Sequence, residues 1–335
     1  MPVKQGKYTL SLPSAPSVAG YAAVVGKKEG EGPLGAGFDY VYDDAAAGQK
    51  SWEKAESTMH GDAVNRALTK AGVTADEVDV AFAGDLLDQC IGSSFALRDS
   101  GMPFVGLYGA CSTMALSLAA AAVCVDARIA DIAVASTSSH FCSAEKQFRM
   151  PLEYGGQRTP TAQWTATAAG AAVISRADSK AKIDKVIIGR ICDYGVKDAN
   201  NMGAAMAPAA LDTLICHFKD TGRAPSYYDA IITGDLGHVG KDILIDLAQE
   251  KGYNIKSNYN DCGVMMFDKE KQDTHSGGSG CGCCATVFSG FFFKQLKDKK
   301  IKRLLLIATG ALTNSTSSQQ GESIPGIAHA ISIEV

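Results

Sequence analysis

Cys111 stands in Gly109-Ala-Cys-Ser112, between the short apolar run Phe104–Leu107 and an almost unbroken stretch of Ala, Leu, Val and Met from Met114 to Val125. That pattern reads as a strand, a tight turn of small residues, and a helix with Cys111 in its first turn. Such a turn lifts a side chain clear of a sheet. A thiol at a helix N-terminus meets free N–H groups and the positive end of the helix dipole. The expectation is therefore a lowered thiol pKa and a larger share of thiolate. Nucleophilic acyl transfer is the chemistry this would permit. A small buried residue in a close-packed turn is the alternative, and the local pattern leaves both open.

Other chemistry-bearing residues give weaker signals. Cys281-x-Cys283-Cys284, with Cys262 and His275, has metal-ligand residue types. A structural zinc site needs paired Cys-x₂₋₄-Cys knuckles, and adjacent cysteines on one helix do not easily face one ion, so tight packing is expected and no metal. His140 follows a strand end and either lines a crevice, the favoured reading, or caps a loop, whereas His60, His217 and His329 read as ordinary surface or core residues. The loop Gly26-Lys-Lys-Glu-Gly-Glu-Gly-Pro-Leu-Gly35 is rich in glycine but lacks the Gly-Lys-Ser/Thr ending of a phosphate-binding loop, so a solvated surface loop is expected. The basic run Lys294–Arg303 reads as a solvated helix end.

The elements that must position these residues follow from periodicity. Ser17–Val25 reads as the first strand. Trp52, Ala55, Met59, Ala63, Ala67 and Ala71 recur at helical spacing, with Gly72 placed to end the helix. Thr74-Ala-Asp-Glu77 has capping-box spacing. Val78–Ala83, Ile132–Ser136 and Thr165–Ser175 read as strands, the last buried, with a long polar segment from Ser138 to Gln163. In the second half, Val186–Cys192 and Leu304–Ala308 read as strands, Leu211–Lys219 as a helix, and Tyr227-Tyr228 as the opening of a further strand.

The chain is long enough, at 335 residues, for two domains or two halves. A net charge of −4 gives no electrostatic case for nucleic acid. The apolar run at Met114–Val125 is too short to span a bilayer, and no apolar signal-peptide core follows the first Met. The ten cysteines lack a secreted-scaffold spacing and read as reduced thiols of an intracellular protein.

The most informative feature is an internal repeat. Ala81-Phe-Ala-Gly-Asp-Leu86 recurs as Ile231-Ile-Thr-Gly-Asp-Leu236, Gly109-Ala-Cys-Ser112 as Gly282-Cys-Cys-Ala285, and Ile132–Ser136 as Leu304–Ala308, in the same order. Two βαβα halves imply a duplicated α/β fold with two mainly parallel sheets and buried helices between them. Their strand ends would surround a common crevice. The expected boundary divides residues 1–178 from 179–335.

On these residues the sequence resembles the thiolase superfamily. Cys111 in GACSTMALSLAAA stands at the superfamily's nucleophile position, ATAAGAAVIS (Ala166–Ser175) is similar to a small-residue strand of ketoacyl synthases, and THSGGSGCG (Thr274–Gly282) resembles a thiolase GHPxGxSG loop. The resemblance covers nearly the whole chain. It implies a thiolase-like fold, two βαβα halves packed as a layered α-β-α-β-α sandwich, and makes His275 the second residue of the catalytic pocket.

More narrowly, KKEGEGPLG (Lys27–Gly35), AGDLLDQ (Ala83–Gln89), STSSHFCSAEKQFRMPLEYGGQRTP (Ser136–Pro160) and ITGDLGHVGKDIL (Ile232–Leu244) resemble the stage V sporulation protein AD family. That resemblance implies binding of dipicolinic acid (pyridine-2,6-dicarboxylate) and a part in its uptake into the developing spore. Partner proteins of the dipicolinate-transport system, peripheral association with the spore inner membrane, a homodimer and no cofactor are further expectations. Two departures from a condensing enzyme favour binding over catalysis. Gly234-Asp235 replaces the His-bearing segment of ketoacyl synthases, and Ala308–Thr313 lacks the second thiolase Cys. An ionised Asp presents negative charge where a thioester oxyanion develops. For the ligand's two carboxylates the expected donors are Arg149 and Arg158, with His275 and Thr167; Cys111, His140 and Asp235 complete the expected pocket. A condensing enzyme using Cys111 and His275 is the alternative.

Overall fold

The computed structural model describes residues 1–148, 158–176 and 181–335. Ten strands carry the framework: β1 (Ser17–Val25), β2 (Val80–Gly84), β3 (Phe104–Gly106), β4 (Ile132–Ser139), β5 (Ala168–Ser175), β6 (Lys182–Ile187), β7 (Ala230–Thr233), β8 (Tyr259–Asp261), β9 (Arg303–Ala311) and β10 (Gly326–Glu334). Across the sheet they run β8-β7-β9-β10-β6-β1-β5-β4-β2-β3. The order of β1–β5 and that of β6–β10 are therefore the same, one mirrored from the other across the seam. That seam is a single antiparallel pair, Lys182 opposite Ser17. The boundary expected at 178/179 falls on residues outside those described.

The sheets are mixed rather than mainly parallel, which corrects the sequence expectation. β2 pairs in parallel with β3 and β4, but β5 runs antiparallel to both β4 and β1. In the second half β7 is parallel to β8 and β9, and β10 is antiparallel to β9 and β6. Apolar composition reports burial on both faces but not strand direction. Two short strands, Val3–Gln5 and Thr9–Ser11, precede β1, so Ser17–Val25 is not the first.

Alternate side chains of a strand point to opposite faces, and here both faces are buried. Ala23 and Val25, Ala168 and Ala172, Leu304 and Leu306 face a central core; Ala22 and Val24, Ala169 and Ala171, Leu305 and Ile307 face two outer ones. Helix α1 (Trp52–Ala71), N-capped by Ser51 and ended by Gly72 in the left-handed conformation, covers the first outer face. The short helix α2 (Ile91–Leu97) packs beside it. Between the sheets lie α3 (Thr113–Asp126) and α7 (Cys281–Val287), every residue of α7 buried. Helix α4 (Phe141–Phe148) forms within the segment expected to be a polar loop. Helices α5 (Met202–Thr221) and α6 (Gly237–Glu250) cover the second outer face. The expected second-half helix thus starts nine residues earlier, because Met202–Ala210 is rich in Ala and Met and tolerates Pro208.

Small residues let the layers approach at backbone distance. A Cβ on Gly170 would lie 2.6 Å from the Ala285 Cβ and 2.7 Å from its backbone, so β5 touches α7 directly. The loop at Lys27–Gly35 is likewise packed rather than solvated: Glu29 is buried, and its carboxylate accepts the Thr167 N–H at 3.0 Å. All ten cysteines are free thiols. Among the described residues no helix is long and apolar enough to cross a membrane.

Gly170→Ala should destabilise the protein by roughly 1–3 kcal/mol, the usual cost of overpacking a filled core. Urea denaturation reads this as a lower midpoint; an unchanged midpoint would contradict backbone contact between β5 and α7.

Candidate functional site

The turn before α3 is tighter than the sequence suggests. Ala110 carries the positive φ, 49°, an uncommon conformation for a residue with a Cβ. Ser112 and Thr113 donate their N–H groups back to the Gly109 and Ala110 carbonyls, and both hydroxyls bond to the same two carbonyls. Ser112 is the N-cap, so Cys111 lies just ahead of the helix rather than in its first turn. Gly310 of β9 allows the opposite half to close on this elbow: a Cβ there would lie 2.4 Å from the Gly109 carbonyl oxygen.

The Cys111 side chain borders a small cavity of about 80 Å³ that opens toward solvent. Its lining comes from the loops after β2, β3 and β9, from α4, and from the approach to α5: Leu86, Tyr108, Phe148, Met202 and Asn314 are its larger members. Ala144 and Glu145 of α4, with Thr165, Ser279, Thr313 and Ser318, complete most of the wall. The site thus lies at the carboxyl ends of parallel strands, as the duplicated fold requires. Among the described residues, no Lys, Arg or His belongs to the lining.

Behind Cys111 lies a fully buried carboxyl group. Asp235, in the turn after β7, accepts hydrogen bonds from Thr309 Oγ1 at 2.8 Å, Gly280 N–H at 3.0 Å and Ser279 Oγ at 3.2 Å. Ser279 Oγ is also 3.9 Å from Cys111 Sγ. Gln163 fixes the local backbone by donating to the Asp235 and Gly278 carbonyls. Burial pushes Asp235 up to about 7. Burial first, and then the adjacent Asp235, push the Cys111 thiol well above its ordinary range. The expectation of a lowered pKa is therefore overturned. A helix dipole is worth at most about 2 kcal/mol, whereas desolvating a charge costs several kcal/mol.

Among the described residues, the remaining expected site residues do not gather around Cys111. His140 is buried against Trp52; Nε2 bonds to the Ala45 carbonyl at 2.7 Å and Nδ1 accepts the Cys142 N–H. Thr167 accepts the Phe141 N–H. Both therefore hold the start of α4 rather than the cavity wall. His275 bonds through Nδ1 to the Thr159 carbonyl at 2.6 Å and through Nε2 to Asp273 at 3.1 Å, and it does not line the cavity. Ser279, four residues on in the same loop, takes the position beside the thiol. Arg158 lies over the Trp164 ring, as Lys28 does, with Phe141 stacked on that ring at 3.7 Å. Thr165 lines the cavity and neighbouring strand residues point apart, so this cluster faces away from Cys111. Arg149 lies outside the described residues.

Cys281 donates to the Ser138 carbonyl at 2.9 Å and packs in one small cluster with Cys111, Leu86 and Ala144. Among the described residues, no group of three or more His, Cys, Asp and Glu is placed to hold a metal ion. His60, His217 and His329 are all core residues, bonded to Ser136 Oγ, Tyr228 Oη and the Gly189 N–H.

Sequence reasoning missed Ser279 and Thr309, although Thr309 directly follows the repeated segment Leu304–Ala308, and it missed a buried acid pair. Glu56 accepts from Ser138 Oγ and Ser143 Oγ, so it ties α1 to α4. Asp85, the repeat counterpart of Asp235, accepts from Ser93 N–H and Oγ. Burial raises both carboxyls, and burial together with the Asp85 charge takes Glu56 to about 8.

The folded pKa of Glu56 lies above its unfolded value of 4.5. Its contribution to stability is therefore complete below the unfolded pKa, is lost as pH rises to about 8, and is flat beyond. Glu56→Gln should fall less in Tm than the parent protein across that interval. Thermal melts over the pH series check this, and parallel curves would contradict it.

Residues 6–334 match the family described as Stage V sporulation protein AD (SpoVAD). A protein of that name from Bacillus subtilis (strain 168) is 46% identical over 316 residues, covering 94% of this chain and 93% of its own. The 3-oxoacyl-[acyl-carrier-protein] synthase III of Aquifex aeolicus VF5 aligns in structure with a TM-score of 0.59 at 13% identity, over 96% of this chain and all of that one. Cerulenin-bound OleA of Xanthomonas campestris aligns at 0.59 and 13%, over 99% and 98%. These two likenesses establish the thiolase-like fold.

Proposed function

The chain belongs to the stage V sporulation protein AD family, and from that premise we propose that it binds dipicolinate without catalysis, in the Cys111 cavity, for uptake into the developing spore. The observation that carries this reading is the contact of Cys111 with buried Asp235. A condensing enzyme needs a thiolate and donors aimed at a developing oxyanion. Here the thiol is held neutral, and an acid capable of negative charge stands next to it. The cavity itself suits a small aromatic acid: Leu86, Phe148 and Met202 offer apolar surface, and Tyr108, Thr165, Ser279, Thr313, Asn314 and Ser318 offer donors.

The ligand's charge calls for at least one cation. Arg149 directly follows the cavity residue Phe148 in sequence and is the proposed carboxylate partner, while Arg158 is engaged over Trp164. Action in the forespore, at the inner membrane, with other proteins of the dipicolinate system belongs to the same proposal. So does a homodimer. Strand β3 ends the sheet with all three residues exposed, Phe104 and Val105 by about two-fifths, and a second copy would pair with that edge across a two-fold axis.

Isothermal titration should detect dipicolinate binding. Cys111→Ala should stay within about tenfold of the parent Kd, because a neutral thiol is a weak partner. Arg149→Ala should lose about 10- to 150-fold and Arg158→Ala little, on the scale of one charged hydrogen bond. Intact-protein mass spectrometry after incubation with acyl-CoA should show no adduct; acylation at Cys111 would instead establish the condensing-enzyme alternative.

The homodimer has its own test. Light scattering should give twice the chain mass, and Val105→Lys should halve it. A parent protein that is monomeric at high concentration would contradict pairing at β3.

A further inference from the structure

Ser279 touches two environments at once. Its hydroxyl reaches Asp235 Oδ2 at 3.2 Å on one side, and on the other it forms part of the cavity wall beside Cys111. A hydroxyl has one proton to give. While Asp235 is ionised, that proton is spent on the carboxylate, and Ser279 presents only lone pairs to the cavity, which repel an anion. Once Asp235 is protonated it donates to Ser279 Oγ, and the Ser279 proton turns outward. We propose that an anion entering the Cys111 cavity is bound together with one proton, which Asp235 takes up and Ser279 relays as an outward hydrogen bond. This inference rests on the reading of the cavity as a dipicolinate site.

The neighbours of Asp235 leave it as the group able to respond. Cys111 lies in front of it, Cys281 and Cys283 lie on α7, and Asp261 closes β8. Burial drives all three thiols well above the ordinary range, so they stay neutral. Asp261 accepts from Thr233 Oγ1 and from the N–H groups of Leu236, Gly237 and Val264, and titrates lower, at about 6. Glu145 of α4 is an acid in the cavity wall itself. A ligand that brings negative charge toward Asp235 raises its affinity for a proton further, and linkage makes the effect reciprocal.

The test is calorimetry of dipicolinate binding to the intact protein from about pH 6 to about pH 9, in paired buffers of different ionisation enthalpy. The ligand's own carboxyls are ionised across this range. Between about pH 7 and 8 the expected uptake approaches one proton per ligand, and affinity should fall by up to roughly tenfold per pH unit. Asp235→Asn, whose amide can donate to Ser279 at any pH, should bind without uptake and should exceed the parent's affinity at the alkaline end. Ser279→Ala, checked for folding by thermal melting, should bind more weakly with the pH slope reduced. The paired-buffer measurement on the parent stands without any variant. Binding with no proton uptake and a flat profile would overturn the relay while leaving the dipicolinate reading intact. Uptake that persists in Asp235→Asn would overturn the assignment to Asp235. No binding at any pH would overturn the dipicolinate reading and this inference with it.

Discussion

The two halves meet at backbone distance, and nearly everything at the site follows from that closeness. Gly310 brings β9 onto the elbow at Gly109–Ala110, while Gly170 and Gly282 seat α7 against β5. Cys111 therefore comes from one half, and Asp235, Ser279 and Thr309 come from the other. Larger side chains at these points would separate the layers by ångströms, enough to break hydrogen bonds between 2.8 and 3.2 Å. The site is a property of the seam between repeats, and neither repeat contains it.

Close packing also governs the electrostatics. Water is excluded, so the cost of charge decides each group's state before any local dipole does. Cys111 has the address of an activated thiol, yet burial and Asp235 keep it neutral. Glu29, Glu56, Asp235 and Asp261 are all pushed upward by the same desolvation, to between about 6 and about 8. Hydroxyl and backbone donors hold these acids.

The fold shared with 3-oxoacyl-[acyl-carrier-protein] synthase III and OleA does not by itself transmit their chemistry. The elbow, the central helices and the crevice at the strand ends are products of the duplicated topology. What the crevice does depends on the few groups set around the thiol, and here the carboxyl of Asp235 and the hydroxyl of Ser279 stand there.

Much of the architecture was legible in the sequence because it is local. Helix α1 with its Gly72 stop, the Thr74–Glu77 capping box, the strand Ser17–Val25 and the repeated Gly-Asp-Leu each follow from spacing within one segment. The family resemblance was legible for the same reason. Strand direction was not, since an apolar run buried on both faces looks alike whether it pairs parallel or antiparallel. Nor was the turning away of His140, Thr167 and His275, whose hydrogen bonds go to the backbone of Ala45, Phe141 and Thr159. Residue type and loop position named the segment Thr274–Gly282 as a site. Only the tertiary structure chose Ser279 over His275 within it, because a positive φ at His275 and the bonds to Thr159 and Asp273 swing the imidazole aside while Gly280 and α7 carry Ser279 to the thiol.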